Sequence, residues 1–243
     1  MNVKHIFFDL DNALTPCKSL ILPEHAPILK KLCERADVIV VSGHGATDIR
    51  KHLTPALQGL YHILGQNGNY AETRDGRVLW NRSLSKEQKG VIFAFITKAR
   101  AHLNLTVRDE NDIVEDRDSQ IAFSLIGHHE DHAKKDAFDP GGTKRTALLK
   151  DMAVDVKALE KAGVEVRIGG TTNLDIFEYG KNKGYNVPAF IEKMGWDKND
   201  CVYIGDALFP GGNDETVIGK IPTHAVANYR ETYAYIEQLL AHA

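Results

Sequence analysis

The stretch HIFFDLD, residues His5 to Asp11, runs from apolar residues into two carboxylates near the start of the chain. A continuous apolar run of this length is typical of a strand that is buried on both faces. Asp9 and Asp11 follow where this strand ends, and open parallel sheets bind ligands beyond the carboxyl ends of their strands. Two carboxylates that point the same way repel each other unless a cation or a proton lies between them. The stretch therefore predicts a site for a hard divalent metal such as Mg²⁺, or more simply a strand end closed by two solvated turn residues.

The pattern of an apolar strand that ends in a polar residue recurs further along the chain. Asp37–Val41 is followed by Ser42, and Cys201–Gly205 is followed by Asp206. A strand, a helix and a second strand in succession form a βαβ unit, which implies a parallel sheet. We therefore expect Asp9 and these two polar residues at one edge of an α/β sheet. Ser42 is also a candidate N-cap for a helix over Thr47–Leu53.

The middle of the chain has a different order of elements. The spacing of apolar residues predicts long helices over Ser85–Leu103 and Thr143–Ala162. Ser85 and Gln88 stand at the spacing of a capping box. Short strands are predicted over Leu105–Arg108, Ile113–Arg117, Gln120–Ile126, Val164–Ile168 and Leu174–Tyr179. Helices separated from runs of strands are typical of an α+β unit with an antiparallel sheet.

The change of pattern predicts two domains. Residues 1–83 and 182–243 would form an α/β core with a parallel sheet, and residues 84–181 would form an inserted α+β domain. A chain of 243 residues is long enough for this arrangement.

Composition excludes some classes of function. The formal net charge of −3 gives no indication of a nucleic-acid or membrane surface, and we expect no partner of either kind. Three scattered cysteines and an N-terminus without the pattern of a secretion signal favour a reducing compartment, so we expect a cytoplasmic protein. The neighbouring His128, His129 and His132 are interpreted as a solvated loop rather than a metal site.

The predicted sheet edge suits phosphoryl transfer, which needs charge neutralisation and an in-line nucleophile. Asp9 is the candidate nucleophile, because a carboxylate can form an aspartyl-phosphate. Asp11 could protonate the leaving oxygen and later activate the acceptor. Lys183 would neutralise the phosphate and the nucleophile, and Ser42 would donate a hydrogen bond to a phosphoryl oxygen.

The same edge supplies oxygen ligands for Mg²⁺. We expect Asp9, the main-chain carbonyl of Asp11 and Asp206 to bind the ion directly. Asp214, with Asn213 beside it, would complete the site and orient these ligands.

Four motifs carry a resemblance to a known family. The segments DLD at 9–11, SG at 42–43, KG at 183–184 and GDALFPGGND at 205–214 resemble, in kind and order, the motifs of the haloacid-dehalogenase (HAD) superfamily. The insertion between the second and third motifs resembles its C2 type of cap. The chain is most similar to the eukaryotic-type phosphomannomutases and related sugar phosphatases, over nearly its whole length.

This resemblance implies a HAD-like Rossmannoid parallel-sheet core with an inserted α+β cap that sets substrate specificity. It also implies Mg²⁺-dependent phosphoryl transfer through an aspartyl-phosphate, a small phosphorylated sugar or polyol as substrate, and a homodimer formed through the cap. The residues expected to contact the substrate are Gly43, Arg117, His128, Asn173, Asp175 and Asn213.

The chain departs from the family pattern in two places. Asn12-Ala13 stands where the family has Gly-Thr, although Asn tolerates a left-handed backbone better than most residues. In the mutases, arginines of the cap hold the distal phosphate, and Arg117 matches one of them. His128 and Lys135 stand where the others are expected, and neither offers the bidentate fork of a guanidinium.

These departures favour hydrolysis of a sugar or polyol phosphate, because a mutase must retain a bisphosphate while a phosphatase only has to admit water. The alternative is a phosphomannomutase that interconverts hexose 1- and 6-phosphates. A second alternative, suggested by Asn12-Ala13, is a binder of phosphorylated ligands without catalysis.

Overall fold

The chain divides into two compact units, which we call the core unit, residues 1–81 and 181–243, and the inserted unit, residues 82–180. The computed structural model of the protein describes residues 3–103, 106–210 and 212–241, without the side chain of His132. No helix in these described ranges is long and apolar enough to cross a membrane.

The core unit contains a seven-stranded sheet. Its strands are β1 (His5–Asp9), β2 (Asp37–Val41), β3 (Tyr61–Gly65), β4 (Tyr70–Glu72), β5 (Val78–Asn81), β10 (Cys201–Gly205) and β11 (Thr223–Ala225). Their order across the sheet is β11-β10-β1-β2-β3-β4-β5. The strands from β11 to β3 are parallel, and β4 and β5 add an antiparallel hairpin. The predicted α/β fold with a parallel sheet is therefore confirmed.

The central strands of this sheet, β10, β1, β2 and β3, are buried on both faces. The helices of the core unit are α1 (Ala26–Cys33), α2 (Ala46–Leu53), α7 (Lys183–Met194) and α8 (Tyr229–Ala241). Ile6 and Phe8 of β1 belong to one apolar cluster, and Phe7 between them belongs to another that includes Phe190 of α7. Side chains of a strand alternate between the two faces of a sheet, so the unbroken apolar run of β1 fills two cores at once.

The inserted unit contains a four-stranded antiparallel sheet with the order β6-β7-β9-β8. Its strands are β6 (Val114–Asp116), β7 (Gln120–Ser124), β8 (Val164–Gly169) and β9 (Asn173–Glu178). Its helices are α3 (Lys86–Leu103), α4 (His132–Phe138), α5 (Thr143–Asp151) and α6 (Ala153–Lys161). One face of the sheet packs Ile121 and Ile176 against Ile92 of α3 in an apolar core. The predicted capping box starts α3, since Ser85 and Gln88 hydrogen bond reciprocally.

Three local predictions were wrong. The predicted helix over Thr143–Ala162 is two helices, because Met152 adopts the non-helical angles φ −94° and ψ 24°. Because only one residue separates the two helices, the apolar positions before and after the break follow nearly the same helical period. The periodicity of the sequence therefore does not reveal the break. Residues 106–108 form no strand, and Leu105 lies outside the described residues. Ser42 does not cap α2, whose N-cap is Gly45.

Candidate active site

The carboxyl ends of three parallel strands meet around Asp9. Asp9, the last residue of β1, pairs with Val41 of β2 on one side, and Phe8 pairs with Ile204 of β10 on the other. Ser42 and Asp206 come just after β2 and β10, so parallel pairing places both next to Asp9 at this edge of the sheet.

An acidic group occupies this edge. Carboxylate oxygens of Asp9, Asp206 and Asp214 lie within 4.8 Å of one another, and Asp9 and Asp214 are buried. Carboxylate oxygens are the ligands that Mg²⁺ prefers. The structure thus brings together three of the four residues predicted to hold the metal.

Lys183 lies inside the acidic group. Its Nζ is 2.6 Å from Oδ1 of Asp9 and 2.7 Å from Oδ1 of Asp214, and its side chain is buried. Burial raises the pKa of Asp9, and the carboxylates of Asp214 and Asp206 raise it further against the opposing effect of Lys183. One ammonium therefore does not balance three carboxylates, and the donor set fits a bound divalent cation.

Two residues that the sequence analysis did not assign to the site contact the acidic group. The hydroxyl of Tyr203 in β10 donates to Oδ1 of Asp214 at 2.6 Å, and both side chains are buried. The side chain of Asn12 hydrogen bonds to Asp206 and opposes the rise in the pKa of Asp206 that burial and Asp214 cause. The sequence could have indicated Tyr203 as a site residue, because the hydroxyl of a tyrosine in an otherwise apolar buried strand requires a hydrogen-bond partner.

Two glycines allow this close packing. A Cβ atom on Gly205 would overlap the carboxylate of Asp214, and one on Gly184 would overlap the carbonyl of Thr216. Gly184 therefore lets the first turn of α7 approach the loop that carries Asp214, which brings Lys183 to the carboxylates. The motifs KG and GD place their glycines where no side chain fits.

The side chain of Asp11 lies outside the acidic group. Its Oδ1 accepts the main-chain N–H of Lys18 at 2.6 Å, and its Oδ2 is 3.0 Å from Nε2 of His44. Burial raises the pKa of Asp11, but hydrogen bonds and charge from His44 and the Lys18 amide outweigh this effect and lower the pKa to about 2. The carboxylate is thus held as a hydrogen-bond acceptor and does not join the other predicted metal ligands.

The remaining core candidates differ in burial. Ser42 is buried, and its Oγ accepts the main-chain N–H of His44 at 3.1 Å, so its hydroxyl hydrogen stays available for donation. Gly43, which lies between Ser42 and His44 in the sequence, is partly buried. Asn213 is exposed, although the next residue, Asp214, is buried.

The candidate residues of the inserted unit share one face of its sheet. In the strand register Glu115 pairs with Ala122, and Ala122 pairs with Asp175. Asn173, two positions before Asp175 on β9, lies on the same face because side chains alternate along a strand. This face is opposite to the one that packs Ile121 and Ile176 against the helices.

Glu115 connects two of these candidates. Nη2 of Arg117 is 2.6 Å from Oε2 of Glu115, and Nδ1 of His128 is 3.8 Å from the same oxygen. Nε2 of His128 lies 3.3 Å from the carbonyl oxygen of Ala122. The ammonium of Lys135 donates to the main-chain carbonyl of His128 at 2.5 Å. Cationic and polar groups are therefore gathered around one carboxylate on this face.

A parallel sheet with buried carboxylates and a lysine at its carboxyl edge is the arrangement expected of a phosphoryl-transfer enzyme of the HAD type. Residues 6–218 match the family described as haloacid dehalogenase-like hydrolase, and the chain belongs to that family. The prediction that the protein is an enzyme is thereby confirmed.

Relatives of known name support the same classification. The chain is 28% identical over 236 residues to a phosphomannomutase from Spinacia oleracea, a match that covers 93% of this chain and 91% of that protein. A haloacid dehalogenase-like hydrolase from Bacteroides thetaiotaomicron has a similar fold, with a TM-score of 0.66 at 15% identity over 98% of this chain and 99% of that one. The fold is also similar to that of an IMP-nucleotidase from Plasmodium falciparum, with a TM-score of 0.72 at 14% identity over 98% of this chain and 62% of that one.

Proposed function

We propose that the protein is a Mg²⁺-dependent phosphohydrolase that acts on a small phosphorylated sugar or polyol through an aspartyl-phosphate. The observation that carries this proposal is the group of Asp9, Asp206 and Asp214 around the buried Lys183. The similarity to phosphomannomutases supports a phosphorylated sugar as the class of substrate.

In this proposal the carboxylates of Asp9 and Asp206 and the main-chain carbonyl of Asp11 bind the metal ion. Asp214 orients the site through its contacts with Lys183 and Tyr203. Bound Mg²⁺ would neutralise part of the charge on the phosphoryl group.

The first chemical step transfers the phosphoryl group to the enzyme. A carboxylate oxygen of Asp9 attacks phosphorus, and the bond from phosphorus to the sugar oxygen breaks. The leaving oxygen of a sugar or polyol takes a proton from Asp11, whose carboxylate first accepts that proton from the monoanion of the bound phosphate ester. Lys183 and the hydroxyl of Ser42 offset the negative charge of the phosphoryl oxygens.

The second step returns the enzyme to its starting state. Water attacks phosphorus, its proton moves to the carboxylate of Asp11, and the bond from phosphorus to Asp9 breaks. Asp11 then passes this proton to the departing inorganic phosphate, so that its carboxylate is ionised again at the end of the cycle.

The inserted unit supports hydrolysis over isomerisation. A mutase must hold the second phosphate of a bisphosphate while the sugar turns round, and bidentate arginines suit this task. Here Arg117 forms an ion pair with Glu115. The position of the second expected arginine is occupied by His128, whose neutral imidazole has only one N–H donor. A phosphomannomutase remains the second candidate, because the curated relatives carry that name.

One experiment separates the two candidates. Release of inorganic phosphate is measured over a panel of sugar and polyol phosphates, with Mg²⁺ and with EDTA. Conversion of mannose 1-phosphate to mannose 6-phosphate is measured beside it with a hexose bisphosphate activator. The proposal predicts Mg²⁺-dependent phosphate release that exceeds isomerisation, and isomerisation with negligible phosphate release contradicts it.

A further inference from the structure

The carboxylate of Asp11 is fixed by one donor on each oxygen. The N–H of Lys18 holds Oδ1 at 2.6 Å, and the imidazole Nε2 of His44 lies 3.0 Å from Oδ2. Lys18 contributes its main-chain N–H, whereas His44 contributes its side chain. Of these two contacts, a substitution can therefore remove only the one from His44. This contact is not explained by the metal site, because the carboxylate of Asp11 lies outside the acidic group.

The position of His44 is set by the ends of two strands. Its N–H donates to Oγ of Ser42 at 3.1 Å, just after β2, and its carbonyl accepts the N–H of Gln66 at 2.9 Å, just after β3. Its ring lies edge-on to the ring of His52, with centroids 5.0 Å apart, and its side chain is mostly buried. The main chain and the ring of His44 are both held, so the imidazole is directed at Asp11 before any ligand binds.

We propose that His44 is a positioning residue that orients the Asp11 carboxylate for the second step, the hydrolysis of the aspartyl-phosphate. This inference rests on the proposed function and adds a residue to it. The Nε2–H of His44 donates to Oδ2, and the Lys18 amide donates to Oδ1. The carboxylate plane is thereby fixed, and each oxygen keeps a lone pair that can accept a proton from water.

Loss of this contact should slow one step more than the other. In the second step the attacking water always has to give a proton to Asp11, so misplacement of the carboxylate lowers the rate directly. In the first step the need for Asp11 depends on the leaving group. p-Nitrophenolate leaves without taking a proton, so transfer of its phosphoryl group to Asp9 does not require Asp11.

The test is pre-steady-state hydrolysis of p-nitrophenyl phosphate by wild type and by His44→Ala, with Mg²⁺ present. We expect His44→Ala to release about one p-nitrophenolate per active site at the wild-type rate. A steady-state rate about 10- to 100-fold below that of wild type should follow, because misplacement of a catalytic group typically has this effect. The size of the burst also measures how much of the variant is folded and active.

Two further variants complete the experiment. His44→Gln keeps an N–H donor near the position of Nε2 and should recover a large part of the steady-state rate. His102→Ala removes an exposed histidine of α3 and should behave as wild type. A His44→Ala enzyme with the wild-type steady-state rate, or with burst and steady-state rates lowered equally, overturns the inference. A wild type that releases no phosphate overturns the proposed function and this inference with it.

Discussion

The ammonium group of Lys183 lies 2.6 Å from Oδ1 of Asp9, although the two residues are 174 positions apart in the sequence. Asp9 ends the first strand of the core unit, and Lys183 begins helix α7, immediately after the inserted unit. The contact therefore joins the two segments of the core unit at the point where the proposed chemistry takes place.

Removal of the lysine charge should destabilise the protein. In Lys183→Met, Asp9 and Asp214 would stay buried without their ammonium partner, which typically costs about 3–5 kcal/mol of unfolding free energy. Urea unfolding with and without Mg²⁺ measures the effect, and Mg²⁺ should stabilise the variant more than wild type because the ion is then the remaining cation. Lys51→Met, at an exposed pair with Asp48, is the control. A Lys183→Met protein as stable as wild type would show that the pair contributes little.

Removal of Asp206 should abolish the response to metal. Asp206→Ala loses a direct ligand in our proposal, so Mg²⁺ should no longer raise the melting temperature and turnover should fall to the level seen with EDTA. Asp200→Ala, which removes a carboxylate paired with Lys4 on the surface, should retain both responses. Undiminished activity of Asp206→Ala, or activity that EDTA does not reduce, would contradict the proposed metal site.

Much of the core unit could be predicted because apolar runs and their polar ends are local features. The run His5–Phe8 predicts a strand, and parallel pairing then brings Asp9 beside Ser42 and Asp206. The contact of Asp11 with His44 could not be predicted, since it depends on the rotamers of two side chains from different strand ends. The break at Met152 was also hidden, because a single residue hardly changes the phase of the helix.

An ion pair of the inserted unit predicts a dependence of stability on pH. Nε of Arg145 donates to Oδ2 of Asp139 at 2.7 Å, and both side chains are buried. Burial raises the pKa of Asp139, but Arg145 and the main-chain amides of Lys144 and Arg145 outweigh it and lower the pKa below the ordinary 3.8. A group with a lowered folded pKa stabilises fully above its ordinary pKa, and the stabilisation is lost as pH falls through the folded value.

The test compares wild type with Asp139→Asn at a series of pH values. The variant leaves a buried guanidinium without its carboxylate, so we expect a loss of about 3–5 kcal/mol at pH 7. The difference should stay constant down to about pH 4 and shrink below it. Asp155→Asn, at a surface pair with Lys98, should change stability by less than about 1 kcal/mol. A difference that stays the same below pH 4 would show that the charge of Asp139 does not stabilise the fold.

The residue at position 128 should influence the choice between hydrolysis and isomerisation. Loss of one charge-assisted pair to a distal phosphate corresponds to roughly 1.5–3 kcal/mol, or about ten- to a hundredfold in retention of a bisphosphate. We expect His128→Arg to raise the ratio of isomerised sugar phosphate to free phosphate, and Arg117→Ala to weaken substrate binding. His129→Ala, at an exposed neighbour, is the control. If His128→Arg leaves the ratio of isomerised sugar phosphate to free phosphate unchanged, the residue at position 128 does not influence the choice of reaction.

The most direct test of the account is identification of the residue that carries the phosphoryl group. Wild type and Asp9→Asn are mixed with a ³²P-labelled sugar phosphate and Mg²⁺, quenched in acid and digested, and the labelled peptide is sequenced. Asp48→Asn, an exposed aspartate of α2, serves as the control. We expect an acyl phosphate on Asp9 in wild type and in the control, and no label in Asp9→Asn. Label on another residue, or label that persists in Asp9→Asn, would contradict it.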